Sequence, residues 1–418
     1  MSAIRPQLGL FGAVAIGLAS MLGAGVFAVF SGAAKLAGEW LFLATLIAAV
    51  VAALNALSVL QLARQVDRPG GVYSYSRVYL TPQASFVAGF SFVLGKTGSI
   101  AAISLTFAEY AFPGNQGVAA SAAVVALTVL NLFGINRTAT FAGFFAVLTV
   151  VFLLFSALSG LAFEGHKKVD DLSMSLHGET EFIHVFGAAA VIFFAFAGYA
   201  RVATLGHDVK NPKRNIPIAI ALALAVVLVL YILLVFGLQN ALGGSLSSSS
   251  AVFVDLLSRT APWFPTQAII AIAAMAALGS LLSLLAGVSR TAATMAVDGE
   301  FPGRLSERNR HGAPWLAESI IAIAAIALIQ FDNLIWVIGF SSFSVLIYYG
   351  IGHLSSIRQP KNERLMPRWL NWIGVALCIA LVSSIPGPAI PISVILVFSA
   401  IAIRALMKQR VAKPKDAN

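Results

Sequence analysis

The stretch "IGLASMLGAGVFAVFSG", residues 16–32, lies in a run with no charge between Arg5 and Lys35, yet it places Gly23-Ala24-Gly25 at its centre. The run is long enough to cross a bilayer, which takes about 20 residues. Each glycine costs a helix interior about 1 kcal/mol relative to alanine. A spanning helix with two of them at mid-depth is either packed tightly there or interrupted there.

The same chemistry continues on both sides. Of 418 residues, 59% are hydrophobic and 11% charged, with mean hydropathy +0.89, whereas soluble domains are about 45–50% apolar. This is the composition of an all-α integral membrane protein. About twelve stretches are long enough to span: 7–37, 40–63, 83–112, 117–134, 138–163, 182–206, 215–241, 266–297, 314–331, 333–357, 369–386 and 388–407. The loops between them are short, so 1–418 reads as a single transmembrane domain. The first run has the outline of a signal peptide, but eleven further spans follow it, and it is kept as the first helix.

Lys and Arg are retained in cytoplasmic loops. With the N-terminus inside, inner segments hold most of them, around 64–77, 210–214, 304–310, 358–368 and 404–415, while the outer loops hold only Lys35, Lys167, Lys168 and Arg259. The expected placement is multi-pass in the cytoplasmic membrane, with both termini cytoplasmic. The net charge of +10 is spread over every inner loop rather than gathered on one face, so no nucleic-acid partner is implied. Cys378 is the only cysteine, and oligomeric state is left open.

Nothing points to an enzyme. The six histidines fall in loops or at span ends without metal-ligand spacing. "GFSFVLGKTGS", residues 89–99, misses the phosphate-loop spacing by one residue and has no strand before it. No catalytic cluster, metal site or cofactor is expected.

Unwound backbone at membrane depth persists only where it is buried in protein or lines a cavity, as in broken transporter helices. An interrupted helix offers free N–H groups at one end and free carbonyls at the other, a pair suited to a zwitterion. The competing reading is that Gly23 and Gly25 form a close-packing surface. A second weak point, Ala197-Gly198 in "VIFFAFAGYARVATLGHDVKNPKRNIP", falls in the sixth span, the position that corresponds to the first in two five-helix repeats of opposite orientation.

"GAGVF", "PGGVYSYSR", "FFAFAGYARVATLGHDVKNPKRNIP", "SRTAATMAVDGEFP" and "SFSVLIYYG" occur in order along the chain. Together they resemble the amino acid-polyamine-organocation family of transporters. The resemblance implies the inverted-repeat fold of bacterial leucine transporters: broken first and sixth helices, repeats at about 7–163 and 182–357, and appended helices at about 369–407. It implies an amino acid between the first and sixth spans, its carboxylate on the amides of Gly23, Ala24 and Gly25 and its ammonium on the carbonyls of Phe194, Ala195 and Ala197. Phe196 and Tyr199 would gate or line the pocket, or merely pack. The chain departs from the family pattern at Ala200, where many relatives carry a carboxylate, and at Thr149, where proton-coupled members can carry a lysine.

Ionisable groups inside a membrane are costly and are functional candidates by default. Arg201 is close enough to the inner interface to snorkel, and Arg290 reads as an anchor. Lys96 is too deep to reach either interface, so it either takes part in transport or is hydrogen-bonded structurally. Coupling is open between a proton on Lys96 and sodium held by oxygens such as Thr149 and Ser283. Without a deep carboxylate, a buried cationic substrate would be unpaired, so a neutral, apolar amino acid is expected, with an acidic one left open by Lys96. A secondary permease is the expected function. An exporter or exchanger of amino acids or related small amines or acids is the alternative, then a transporter-fold sensor or accessory subunit.

Overall fold

A computed structural model describes residues 8–412 except 24, 67, 69, 134–137, 165–181, 206–208 and 332. The first span is two helices, α1 (Leu10–Leu22) and α2 (Gly25–Ala37), followed by α3 (Leu41–Ala63). A short amphipathic helix, α4 (Val72–Tyr79), precedes α5 (Pro82–Ala111), α6 (Gln116–Leu132) and α7 (Thr138–Leu161). The sixth span divides into α8 (Phe182–Phe196), a 3-10 turn (Ala197–Tyr199) and α9 (Ala200–Ala203). The rest are α10 (Pro212–Leu242), α11 (Val252–Thr260), α12 (Thr266–Val297), α13 (Trp315–Ile329), α14 (Leu334–Arg358), α15 (Arg368–Ser383) and α16 (Ala389–Ala412). Among the described residues there is no β-strand, only an isolated bridge between Leu8 and Val209.

Helices stand at all twelve expected positions. Among the described residues, eight stretches are long and apolar enough to cross a membrane, the first, Leu10–Ala63, comprising α1 to α3; α6, α13 and α15 are shorter apolar helices. The protein is thus an all-helical, multi-pass membrane protein. Local chemistry sets several helix starts. Thr81 accepts from the Ala84 amide at 3.2 Å with Pro82 as the first helical residue, and Asn333 accepts from the Trp336 amide at 3.1 Å, each satisfying an amide that the helix leaves without a partner.

Between helices, small residues and polar pairs replace the hydrophobic drive that lipid does not supply. A Cβ at Gly160 of α7 would lie 2.6 Å from the Gly237 carbonyl of α10, so these helices touch backbone to backbone. α3 and α14 carry a polar ladder: Asn55–His353 at 2.9 Å, Ser58–Ser356 at 2.9 Å and Gln61–Gln359 at 2.6 Å, each separated by 298 residues. A constant separation over successive turns means that the helices run parallel in one register. Gly71 follows Gly70 in a turn, at φ +60°, and the Val72 amide beyond it donates to the Tyr348 hydroxyl at 2.9 Å.

Beyond the end of α12, the buried Glu300 carboxylate receives Arg404 of α16 at 2.5 and 3.1 Å and Lys408 at 3.3 Å, with Arg77 of α4 at 3.7 Å. Burial pushes this carboxyl up, but the hydrogen bond and charge of Arg404, with Lys408, outweigh it and hold Glu300 below its ordinary value of 4.5. A depressed carboxyl stabilises the fold above that value and ceases to as pH falls through the lowered one. Glu300→Gln leaves Arg404 buried without its anion, and should destabilise the protein by about 3 kcal/mol at neutral pH. Thermal melts in detergent should show the gap between variant and wild type closing below about pH 4; a gap that is constant with pH would refute this account.

Candidate functional site at the two helix breaks

The first interruption lies where the glycines place it. α1 ends at Leu22, Gly23 turns away at φ −61° and ψ −89°, and α2 begins at Gly25; Ala24 lies outside the described residues. The second is a change of helix type: the chain tightens into a 3-10 turn at Ala197–Tyr199, a form that mid-helix often marks a hinge. The two breaks are laid backbone on backbone. A Cβ at Gly25 would sit 2.8 Å from the Ala195 Cα, and one at Gly198 would overlap the Ser20 carbonyl and the Met21 amide. Close packing therefore accounts for both of these glycines, and Gly23 faces the Ser280 side chain in the same way.

The carbonyls at the breaks are capped by side chains from other helices. Tyr231 of α10 donates to the Met21 carbonyl at 2.8 Å and lies 3.4 Å from the Ala195 carbonyl, bridging the two breaks. Lys96 of α5 donates to the Ala197 carbonyl at 3.0 Å, and the Tyr349 hydroxyl of α14 reaches the same oxygen at 3.3 Å. Aromatic rings surround these contacts: Phe196 packs on Tyr231 with centroids 4.8 Å apart, and Tyr199 stacks on Tyr349 at 5.1 Å. Phe194, Phe196 and Tyr199 are all buried. Tyr231 and Tyr349 were missed by sequence reasoning, because a tyrosine in an apolar run carries no signal until its hydroxyl is placed.

A small cavity, with about 10 Å³ of room for a water-sized sphere, adjoins the first break. It is lined by Leu22 and Gly23 of α1, Phe145 and Thr149 of α7, and Ser280 of α12, with small residues between them. That is about one water molecule's requirement. The Ser280 hydroxyl is buried without a hydrogen-bond partner among the described residues, and Thr149 donates to its own helix at Phe145. Thr149 thus stands beside the break, but its companion is Ser280. Ser283, nearly one turn further along α12, is half-buried and does not line this cavity. The hydroxyl spacing along α12 was legible in the sequence; which serine faces α1 was not.

Of the other charges, Arg201 does not snorkel outward. It is buried, hydrogen-bonded to Thr204 at 2.9 Å, and lies against α12 where Gly287 leaves room for it. Arg290 is exposed, and Glu318 is buried in the first turn of α13.

The match to the amino acid permease family runs from residue 12 to residue 414, and the chain belongs to that family. It is 36% identical over 390 residues to a Mycobacterium tuberculosis protein named as an uncharacterized transporter, covering 92% of this chain and 87% of that one. A branched-chain amino acid permease of Bacillus subtilis is 25% identical over 417 residues, covering 93% of this chain and 86% of the permease. The chloroplastic cationic amino acid transporter 9 of Arabidopsis thaliana is 26% identical over 279 residues, covering 60% and 48%.

Tyr231→Phe keeps the ring on Phe196 and removes the hydroxyl that caps the Met21 carbonyl. Loss of this buried hydrogen bond should cost about 1–2 kcal/mol, read as a lower melting temperature in detergent. An unchanged melting temperature would show that the bridge between the breaks carries no stability.

Proposed function

We propose that this permease moves amino acids across the cytoplasmic membrane by alternating access, as a secondary transporter with both termini cytoplasmic. In this reading the chain is one domain of twelve spans, with inverted repeats at about 7–163 and 182–357 and the last two spans appended. The observation that carries it is the meeting of two helix interruptions, where the Met21, Ala195 and Ala197 carbonyls are met by side chains from other helices. Hinges of this kind let half-helices move without exposing unsatisfied backbone to lipid.

The substrate backbone takes the amides at Gly23, Ala24 and Gly25 and the carbonyls of Phe194, Ala195 and Ala197, with Phe196 and Tyr199 lining the path. Entry requires the two breaks to separate, because they are in contact in this conformation. Gly25→Leu drives a side chain into the Ala195 backbone where the substrate must pass. Uptake of labelled substrate into vesicles should vanish while membrane insertion persists, and normal uptake would sink the site assignment.

The reading further assigns a neutral, apolar substrate. The buried phenylalanines and tyrosines at the breaks support this, as does the absence of a carboxylate paired with Lys96 among the described residues. The Bacillus subtilis relative, aligned over nearly the whole chain, is named for branched-chain amino acids; the plant cationic transporter aligns over a smaller part. Leucine, methionine or phenylalanine should displace a bound neutral amino acid from purified protein better than arginine or putrescine does. The reverse order would overturn the substrate class.

Two couplings are distinguishable: a proton carried on Lys96, or sodium in the cavity of Thr149 and Ser280. The orphaned Ser280 hydroxyl is what favours considering the second. A strict sodium requirement for uptake would select it.

A further inference from the structure

Lys96 stands at the midpoint of the 30-residue α5, about 21 Å of helix from either end. Its ammonium has three N–H donors. One goes to the Ala197 carbonyl, and among the described residues no carboxylate pairs with it. The Tyr349 hydroxyl takes up the second lone pair of the same oxygen. The carbonyl proposed for the substrate ammonium is therefore filled, and one of its two occupants is itself an ammonium. Ala195, the neighbouring carbonyl proposed for that role, already faces the Tyr231 hydroxyl.

Two cations a few ångströms apart in a low-dielectric interior repel strongly, so Lys96 and a substrate amine cannot share this position while both are charged. We propose that Lys96 is the built-in occupant of the amine position, and that a substrate amine takes the Ala197 carbonyl only as Lys96 gives up its proton. The N–H bond of Lys96 breaks, and the proton leaves to water on the side from which the substrate enters. The substrate ammonium stays intact, and the neutral Lys96 amine turns its freed lone pair into an acceptor for it. The loaded carrier thus lacks a proton that the empty carrier holds, and substrate and proton move in opposite directions. This rests on the amino-acid permease reading and adds the sign of its coupling.

The surroundings leave Lys96 as the exchanging group. α14 presents Tyr348 and Tyr349, and the 3-10 turn of the second break presents Tyr199, all neutral partners in hydrogen bonds or ring contacts. Arg201 of α9 lies on α12 at Gly287, and Arg290 of α12 is exposed. On α4, Tyr73 and Arg77 face Asp298, and Tyr75 reaches the Ala203 carbonyl. Arg404 of α16 is spent on Glu300, Glu318 sits in the first turn of α13, and His353 lies between Asn55 and Asn371. None of these touches the Ala197 carbonyl except Tyr349.

The test uses the purified full-length protein in weakly buffered detergent solution, with leucine as the first probe and the other common amino acids after it. Proton release on binding is followed with a pH dye, and affinity is measured from about pH 6 to about pH 9. The wild type should release one proton per bound amino acid, with affinity rising up to tenfold per pH unit while Lys96 is charged. Lys96→Met should release none and bind with an affinity independent of pH. A folded Lys96→Met that no longer binds would make Lys96 a partner rather than a competitor and overturn the proposal. So would wild-type binding without proton release, a result that stands even if the variant does not fold. If no amino acid binds the wild type at all, the permease reading fails and the proposal fails with it; binding without proton release removes the proposal alone.

Discussion

Backbone amides and carbonyls cannot be left bare at the depth of a membrane, and the centre of this protein is arranged around that constraint. Two helices stop being α-helical in their middles, and every cap described there comes from elsewhere in the chain. Tyr231 holds Met21 and faces Ala195; Lys96 and Tyr349 hold Ala197. A break satisfied by three side chains can be opened by moving those side chains. A break satisfied by a regular helix cannot.

The rest of the fold keeps those partners in place. α5 and α14, which deliver Lys96 and Tyr349, come together because Gly95 and Gly98 present no side chain to Ser344, Val345 and Phe340, and Ser99 and Ser341 join them by a 2.8 Å hydrogen bond. α14 is in turn registered on α3 by the Asn55, Ser58 and Gln61 ladder. A slip of one residue along α14 would break all three rungs together, so the height of Tyr349 over the second break is set by polar contacts about one to three turns away.

Glycine carries two meanings here. At Gly71 the backbone itself demands it, through a positive φ. At Gly25 and Gly198 the conformation is ordinary and the demand comes from the opposing chain, whose backbone occupies the space of a side chain. Gly25 therefore both interrupts a helix and packs one: it starts α2 and touches Ala195.

By itself the sequence determined the helical class, the places of the helices and the position of the first break, because these follow from long apolar runs, loop charge and glycine at mid-span. It also marked Lys96 as a charge that reaches no interface, and the family resemblance pointed to Thr149 as a hydroxyl where proton-coupled members can carry a lysine. Only the tertiary structure decided what those groups meet. That Ser280 and not Ser283 faces Gly23 depends on the rotation of α12. That Arg201 turns inward depends on the space at Gly287. The partners of the bare carbonyls come from residues up to 210 positions away, and local pattern carries no record of contacts that only helix packing creates.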